Sequence, residues 1–165
     1  MPESSERTEK ERGRETQPDA HEAREAGEGA RTDGSRAEGL DARVRVALHA
    51  AGEKKALDLV VLDLRELASF TDFFVIASGT NVRQVQAIAD EVQEQLRKQT
   101  GTKPARVEGY KSAEWVLLDY GDFIFHVFEE KSRRFYDLER LWRDAVRVEL
   151  PRELAGGEGS LRSER

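Results

Sequence analysis

Apolar residues recur along the chain in two rhythms, and the switches between them predict the elements. Leu40, Val44, Ala47, Leu48 and Ala51 fall three and four residues apart, which predicts a helix over 40–53. Residues 57–64 (LDLVVLDL) are β-rich and apolar on both faces, the pattern of a central strand. Residues 73–78 (FFVIAS) predict a second buried strand, reached by a polar connection over 65–72. Gly79, Thr80 and Asn81 break that strand and offer N-cap side chains. Val82, Val85, Ile88, Ala89, Val92 and Leu96 then give the clearest amphipathic helix, ending near Thr100 and Gly101. Residues 104–107 read as a short edge strand, where Pro104 is tolerated.

Two apolar runs follow, separated by Gly121 and Asp122, the signature of a tight hairpin with glycine at the first turn position. That turn fixes the register. Tyr120 faces Phe123, Leu118 faces Phe125 and Val116 faces Val127, so these six share the core face. Trp115 with Phe128, Leu117 with His126 and Asp119 with Ile124 share the other face. Asp119 lies diagonal to His126, within side-chain reach. This second face is apolar too. Left uncovered it is a docking patch; otherwise the last helix packs on it. That helix, with Asp137 as its N-cap, is predicted over 138–146 from Leu138, Leu141, Trp142, Ala145 and Val146, with Glu139 and Arg143 paired outside. The order predicts an α/β or α+β domain: a mixed sheet of about five strands with helices packed on it, and a right-handed crossover around the 82–96 helix.

Composition divides the chain in three. Residues 1–38 contain no Val, Ile, Leu, Phe, Trp or Tyr. Residues 1–39 hold 11 acidic and 7 basic side chains, so this stretch is read as a disordered acidic tail. Residues 151–165, with three glycines, read as a flexible C-terminal tail, leaving 40–150 as one domain. The whole chain of 165 residues carries a net charge of −6. That balance argues against a nucleic-acid binder working by phosphate neutralisation and against docking on an anionic membrane. No apolar run is long enough to span a bilayer, no secretory signal is read, and cysteine is absent. A cytoplasmic location is expected.

Catalytic signatures are sparse. There is no G-x-S-x-G, no P-loop and no G-x-G-x-x-G. His49 reads as a solvated residue on the first helix, and no histidine pair has metal-ligand spacing. Ser78-Gly79-Thr80 opens a helix after a strand and could cradle a phosphate, although a plain strand-to-helix turn explains it as well. Asp58, Asp63, Asp119 and Asp122 are available for a metal-dependent nucleotide-transferring enzyme, but no D-x-D pair follows that turn, and Asp122 reads as a turn residue.

Three ordered blocks carry a family resemblance. Residues 78–90 (SGTNVRQVQAIAD) resemble the S/T-G-T-S-x-R-x-V-x-x-I-A-D stretch of the ribosomal silencing factor, or Iojap-like, family. Residues 115–122 (WVLLDYGD) with His126-Val127-Phe128 resemble its W-x-x-x-D-x-G-D-x-x-x-H block, and residues 133–142 (RRFYDLERLW) its R-x-Y-x-L-E-x-L-W ending. Thr71-Asp72 also fits, and Asn81 stands where serine is commoner. Both tails depart from the usual short form.

The resemblance implies a non-enzymatic translation repressor with no metal and no cofactor. Such a factor binds the large ribosomal subunit on its fourteenth ribosomal protein and blocks small-subunit joining when nutrients are short. The implied fold is nucleotidyltransferase-like without catalytic carboxylates, and homodimers are expected. Direct sequence-specific nucleic-acid contact and membrane contact are not. Carried over by position, the implied ribosomal-protein contacts are Trp115, Leu117, Asp119, His126, Tyr136 and Leu138, with Glu129 and Arg134 as rim charges. An acidic factor complements mostly basic ribosomal proteins, which speeds encounter.

Overall fold

The computed structural model describes residues 39–154; the expectations for residues 1–38 and 155–165 lie outside them. Helix α1 (Ala42–Glu53) starts two residues later than predicted because Asp41 is its N-cap, accepting from Arg43 N at 2.9 Å. Strand β1 (Leu57–Asp63) and strand β2 (Phe73–Gly79) follow. Helix α2 (Val82–Thr100) is capped by Asn81, whose Oδ1 accepts from Gln84 N at 2.8 Å, and it ends at Gly101 with φ +70°. Strands β3 (Arg106–Glu108), β4 (Trp115–Asp119) and β5 (Phe123–Glu129) complete the predicted hairpin region.

The hairpin register is the predicted one: Trp115 pairs with Phe128, Val116 with Val127, Leu117 with His126, Leu118 with Phe125 and Asp119 with Ile124. Gly121 sits at φ +86°, a conformation that favours glycine. Its carbonyl accepts from the buried Thr71 hydroxyl at 2.8 Å, which ties the β1–β2 loop to the turn.

The C-terminal region departs from expectation. Residues 130–136, for which no helix is predicted, form helix α3 (Glu130–Tyr136). The predicted long last helix is cut to α4 (Leu138–Leu141). Asp137 is the N-cap of α4, as expected, but it makes no side-chain cap bond, and at φ +51° it is also the C-cap of α3 and separates the two helices. Val146 and Arg147 leave the helical path to form strand β6, pairing with Asp63 and Leu62 on β1. The predicted Glu139–Arg143 pair gives way to Glu139 with Arg133 and Arg147, at 2.9 and 3.2 Å.

The sheet thus has six strands rather than about five, in the order β3-β4-β5-β2-β1-β6. It is mixed: β2 and β5 run parallel, and the other neighbours run antiparallel. One face carries Val116, Leu118, Phe123, Phe125, Val127 and Val75 under α1 and α2, which pack on each other. Leu150 and Leu154, the latter in a 3-10 turn (Arg152–Leu154), also pack on this core, so the packing runs on past residue 150. The register builds the opposite face in rows. Glu108, Leu117, His126, Ile76 and Val60 form one row, and Arg106, Asp119, Ile124, Phe74 and Leu62 form the next.

Candidate functional site

The outward face of the hairpin is a second core. Trp115 is 1 % exposed, Leu117 5 %, His126 1 % and Leu138 1 %, and all but His126 are counted with Phe74, Ile76, Phe128 and Trp142 in one buried cluster. Trp115, Leu117, His126 and Leu138, expected as contacts, are thus buried in this chain, and of the four Leu117 keeps the most exposure. Trp115 stacks on Phe128 with ring centroids 5.0 Å apart, and Tyr136 of α3 covers it at 4.7 Å. Trp142 meets Phe74 edge-on at 5.5 Å.

Helix α3 is held there by one side chain. Arg133 forks onto the Glu139 carboxylate, with Nε to Oε1 at 3.2 Å and Nη2 to Oε2 at 2.9 Å. Its Nη1 donates to the buried Ser78 Oγ at 2.8 Å. A planar guanidinium suits such a three-way tie. The inner side of α3 is thus made by an arginine and a tyrosine, and none of its residues is fully buried. Hydrophobic periodicity does not register such a helix.

Within this second core Trp115 Nε1 donates to His126 Nδ1 at 3.0 Å. His126 therefore carries its proton on Nε2, a buried atom with no hydrogen-bond partner among the described residues. Burial pushes its pKa down to about 3, so the imidazole is neutral. The expected Asp119–His126 contact is replaced by these bonds. Asp119 accepts from Gly121 N at 2.9 Å through Oδ1 and faces Arg106 Nη2 at 3.5 Å through Oδ2.

The remaining site residues divide by position. Glu129 is the N-cap of α3, accepting from Lys131 N at 3.1 Å. Arg134 is exposed and Tyr136 half-buried. Arg134 also lines a groove of about 590 Å³ with Ser78, Glu130, Arg133, Glu139 and Arg147. The aspartates of the enzyme alternative do not converge. Asp63 binds Arg65 at 2.6 Å and Asp122 binds Arg43 at 2.7 Å, while Asp119 is held in its turn. Thr80 N, the donor a phosphate would need, is taken by Gln84 Oε1 at 2.7 Å. His49 is exposed and faces Glu53 at 3.1 Å, as a solvated residue should.

One corner of the second face lies beyond the helices. Helix α3 packs on β5 and β2, so β4 and β3 sit at its rim. Leu117 and Ile124 keep 5 % and 6 % exposure there, and Glu108 and Asp119 are half-exposed beside them. Arg106 stands between the two carboxylates, at 3.1 Å from Glu108 and 3.5 Å from Asp119, leaving this trio net negative.

Comparison with known proteins fits this architecture. A family model described as "Ribosomal silencing factor during starvation" matches residues 37–164. The ribosomal silencing factor RsfS of Halalkalibacterium halodurans is 43 % identical over 107 residues, covering 65 % of this chain and 91 % of that protein. A crystal structure of a Chromobacterium violaceum protein superposes with a TM-score of 0.60 at 32 % identity, covering 75 % of this chain and 97 % of that one. The mouse mitochondrial assembly of ribosomal large subunit protein 1 is 28 % identical over 92 residues, covering 54 % of this chain and 40 % of that protein. With the model matching most of its length, the chain belongs to the ribosomal silencing factor family.

Proposed function

We propose that this chain represses translation as a non-enzymatic factor. It docks on the large ribosomal subunit through the fourteenth ribosomal protein and occupies space that the small subunit needs. The observation that carries this reading is the open β3–β4 corner. Two carboxylates, Glu108 and Asp119, share one guanidinium beside the edges of Leu117 and Ile124. A small apolar strip with an acidic rim complements a basic ribosomal protein, where opposite potentials raise the association rate. The name of the mouse relative, which refers to the ribosomal large subunit, supports the choice of subunit. Among the described residues no helix is long and apolar enough to cross a membrane.

The contact set implied by sequence changes accordingly. Asp119 and the edge of Leu117 take part directly, while Trp115 and His126 on the same two strands, and Leu138 of α4, belong to the buried part of this face.

Co-sedimentation with purified large subunits, followed by a subunit-joining assay, tests this. Wild type comigrates and lowers the joined fraction, whereas Glu108→Arg weakens binding about tenfold or more, the scale of one close like-charge contact. Asp119→Asn, which keeps an acceptor for Gly121 N, has a smaller effect of the same sign. A wild-type chain that stays in the supernatant overturns the proposal.

A further inference from the structure

Helix α3 has an outer side that the docking strip does not use. At about 100° per residue, Arg133 and Tyr136 point inward while Lys131, Arg134 and Phe135 fall within an outward arc of about 100°. All three are exposed, and Phe135 is 79 % accessible, far above every other large apolar side chain among the described residues. Neither Lys131 nor Arg134 is paired with a carboxylate among the described residues. Arg134 and Glu130 both line the groove, so Arg134 stands where the arc meets it and Glu130 lies beyond, on the flank. The Phe135 ring meets the Tyr136 ring edge-on at 5.0 Å.

Two unpaired cations beside a bare aromatic ring repel a basic protein and suit a partner with flat rings and negative charge. We propose that the Lys131–Arg134–Phe135 face of α3 contacts single-stranded ribosomal RNA beside the protein docking strip, with Phe135 stacked on an unpaired base and the two cations on flanking phosphates. Every base offers a π-face, so such a contact needs no sequence readout. Two cations on a chain of net charge −6 make a secondary clamp rather than the main source of affinity. This inference rests on the silencing reading for its location, because α3, whose Tyr136 covers Trp115, borders the same face that ends in the β3–β4 corner.

The experiment compares wild type, Phe135→Ala and the double variant Lys131→Glu/Arg134→Glu on three probes. These are intact large subunits, the isolated fourteenth ribosomal protein, and a short oligouridylate followed by fluorescence anisotropy at low salt. Loss of one stacked base corresponds to about 5- to 150-fold in affinity. Both variants are expected to bind subunits about tenfold more weakly, to lose oligouridylate binding, and to bind the isolated protein like wild type. Circular dichroism should match wild type throughout, since all three side chains are outside the cores. Equal loss on the isolated protein makes this face a protein contact and overturns the proposal. So does unchanged binding of the variants to subunits or to oligouridylate. If wild type itself fails to bind subunits, the silencing reading falls separately, and the oligouridylate comparison still decides whether the α3 face takes RNA.

Discussion

At His126 the imidazole accepts from Trp115 with one nitrogen and buries the other without a partner. Its folded pKa of about 3 lies below the unfolded value near 6.5, so the unfolded chain takes up the proton first as pH falls. The stability linked to this group is complete above about pH 6.5 and is lost as pH falls toward about 3, by up to about 1.4 kcal/mol per pH unit. Urea unfolding at pH 7, 6 and 5 should therefore give a steeper decline for wild type than for His126→Gln, which starts from a lower plateau. Parallel declines would show that His126 does not titrate this way. Trp115 follows the same logic of burial. Its replacement by alanine opens a cavity costing about 3–5 kcal/mol. A loss of ribosome binding in Trp115→Ala thus reports a damaged core, and Glu108 and Asp119 are the cleaner probes of docking.

Among the elements, α3 is the one whose position depends on a single polar knot. Arg133 is 11 % exposed and ties Glu139 of α4 to Ser78 of β2. Arg133→Met leaves the Glu139 carboxylate with only Arg147 and strands the Ser78 hydroxyl, a loss of about 2–4 kcal/mol on the scale of broken part-buried charged bonds. Arg133→Lys keeps the charge but not the fork, and should recover only part of the loss. Thermal melting of both variants checks the order wild type, Lys, Met; equal melting temperatures would mean the knot does not hold α3. The α2 cap is built differently: Asn81 Oδ1 accepts from Gln84 N, Gln84 Oε1 accepts from Thr80 N, and Gln84 Nε2 also donates to the Lys54 and Lys55 carbonyls at 3.0 Å.

On the scale of the molecule, two cores back a single sheet. The larger lies under α1 and α2; the smaller is sealed by α3, α4 and Trp142. The larger is closed at α1 by Leu150 and Leu154, which follow β6 and lie half-buried. A chain stopped after residue 149 should be about 1–3 kcal/mol less stable than one stopped after residue 154, the scale of two partly buried leucines. Calorimetry distinguishes the two, and equal midpoints would show that this segment adds nothing to the core. The β3–β4 corner lies on the other side of the sheet, so the shorter chain, where folded, should still bind large subunits.

Sequence alone determined what depends on neighbours along the chain. The rhythms of α1, α2 and the strands, the Asn81 cap and the hairpin register all follow from side-chain period and turn chemistry, which act over a few residues. Those same patterns carried the family blocks at residues 78–90, 115–128 and 133–142. Only the tertiary structure decided which side of the hairpin faces outward. An apolar strand face looks the same in sequence whether a partner or the chain's own helix covers it, and α3 meets it through Arg133 and Tyr136 rather than an apolar stripe. The diversion of Val146 and Arg147 into β6 and the acidic corner at Glu108 and Asp119 likewise arise from contacts between residues far apart in the chain, where no local period records them.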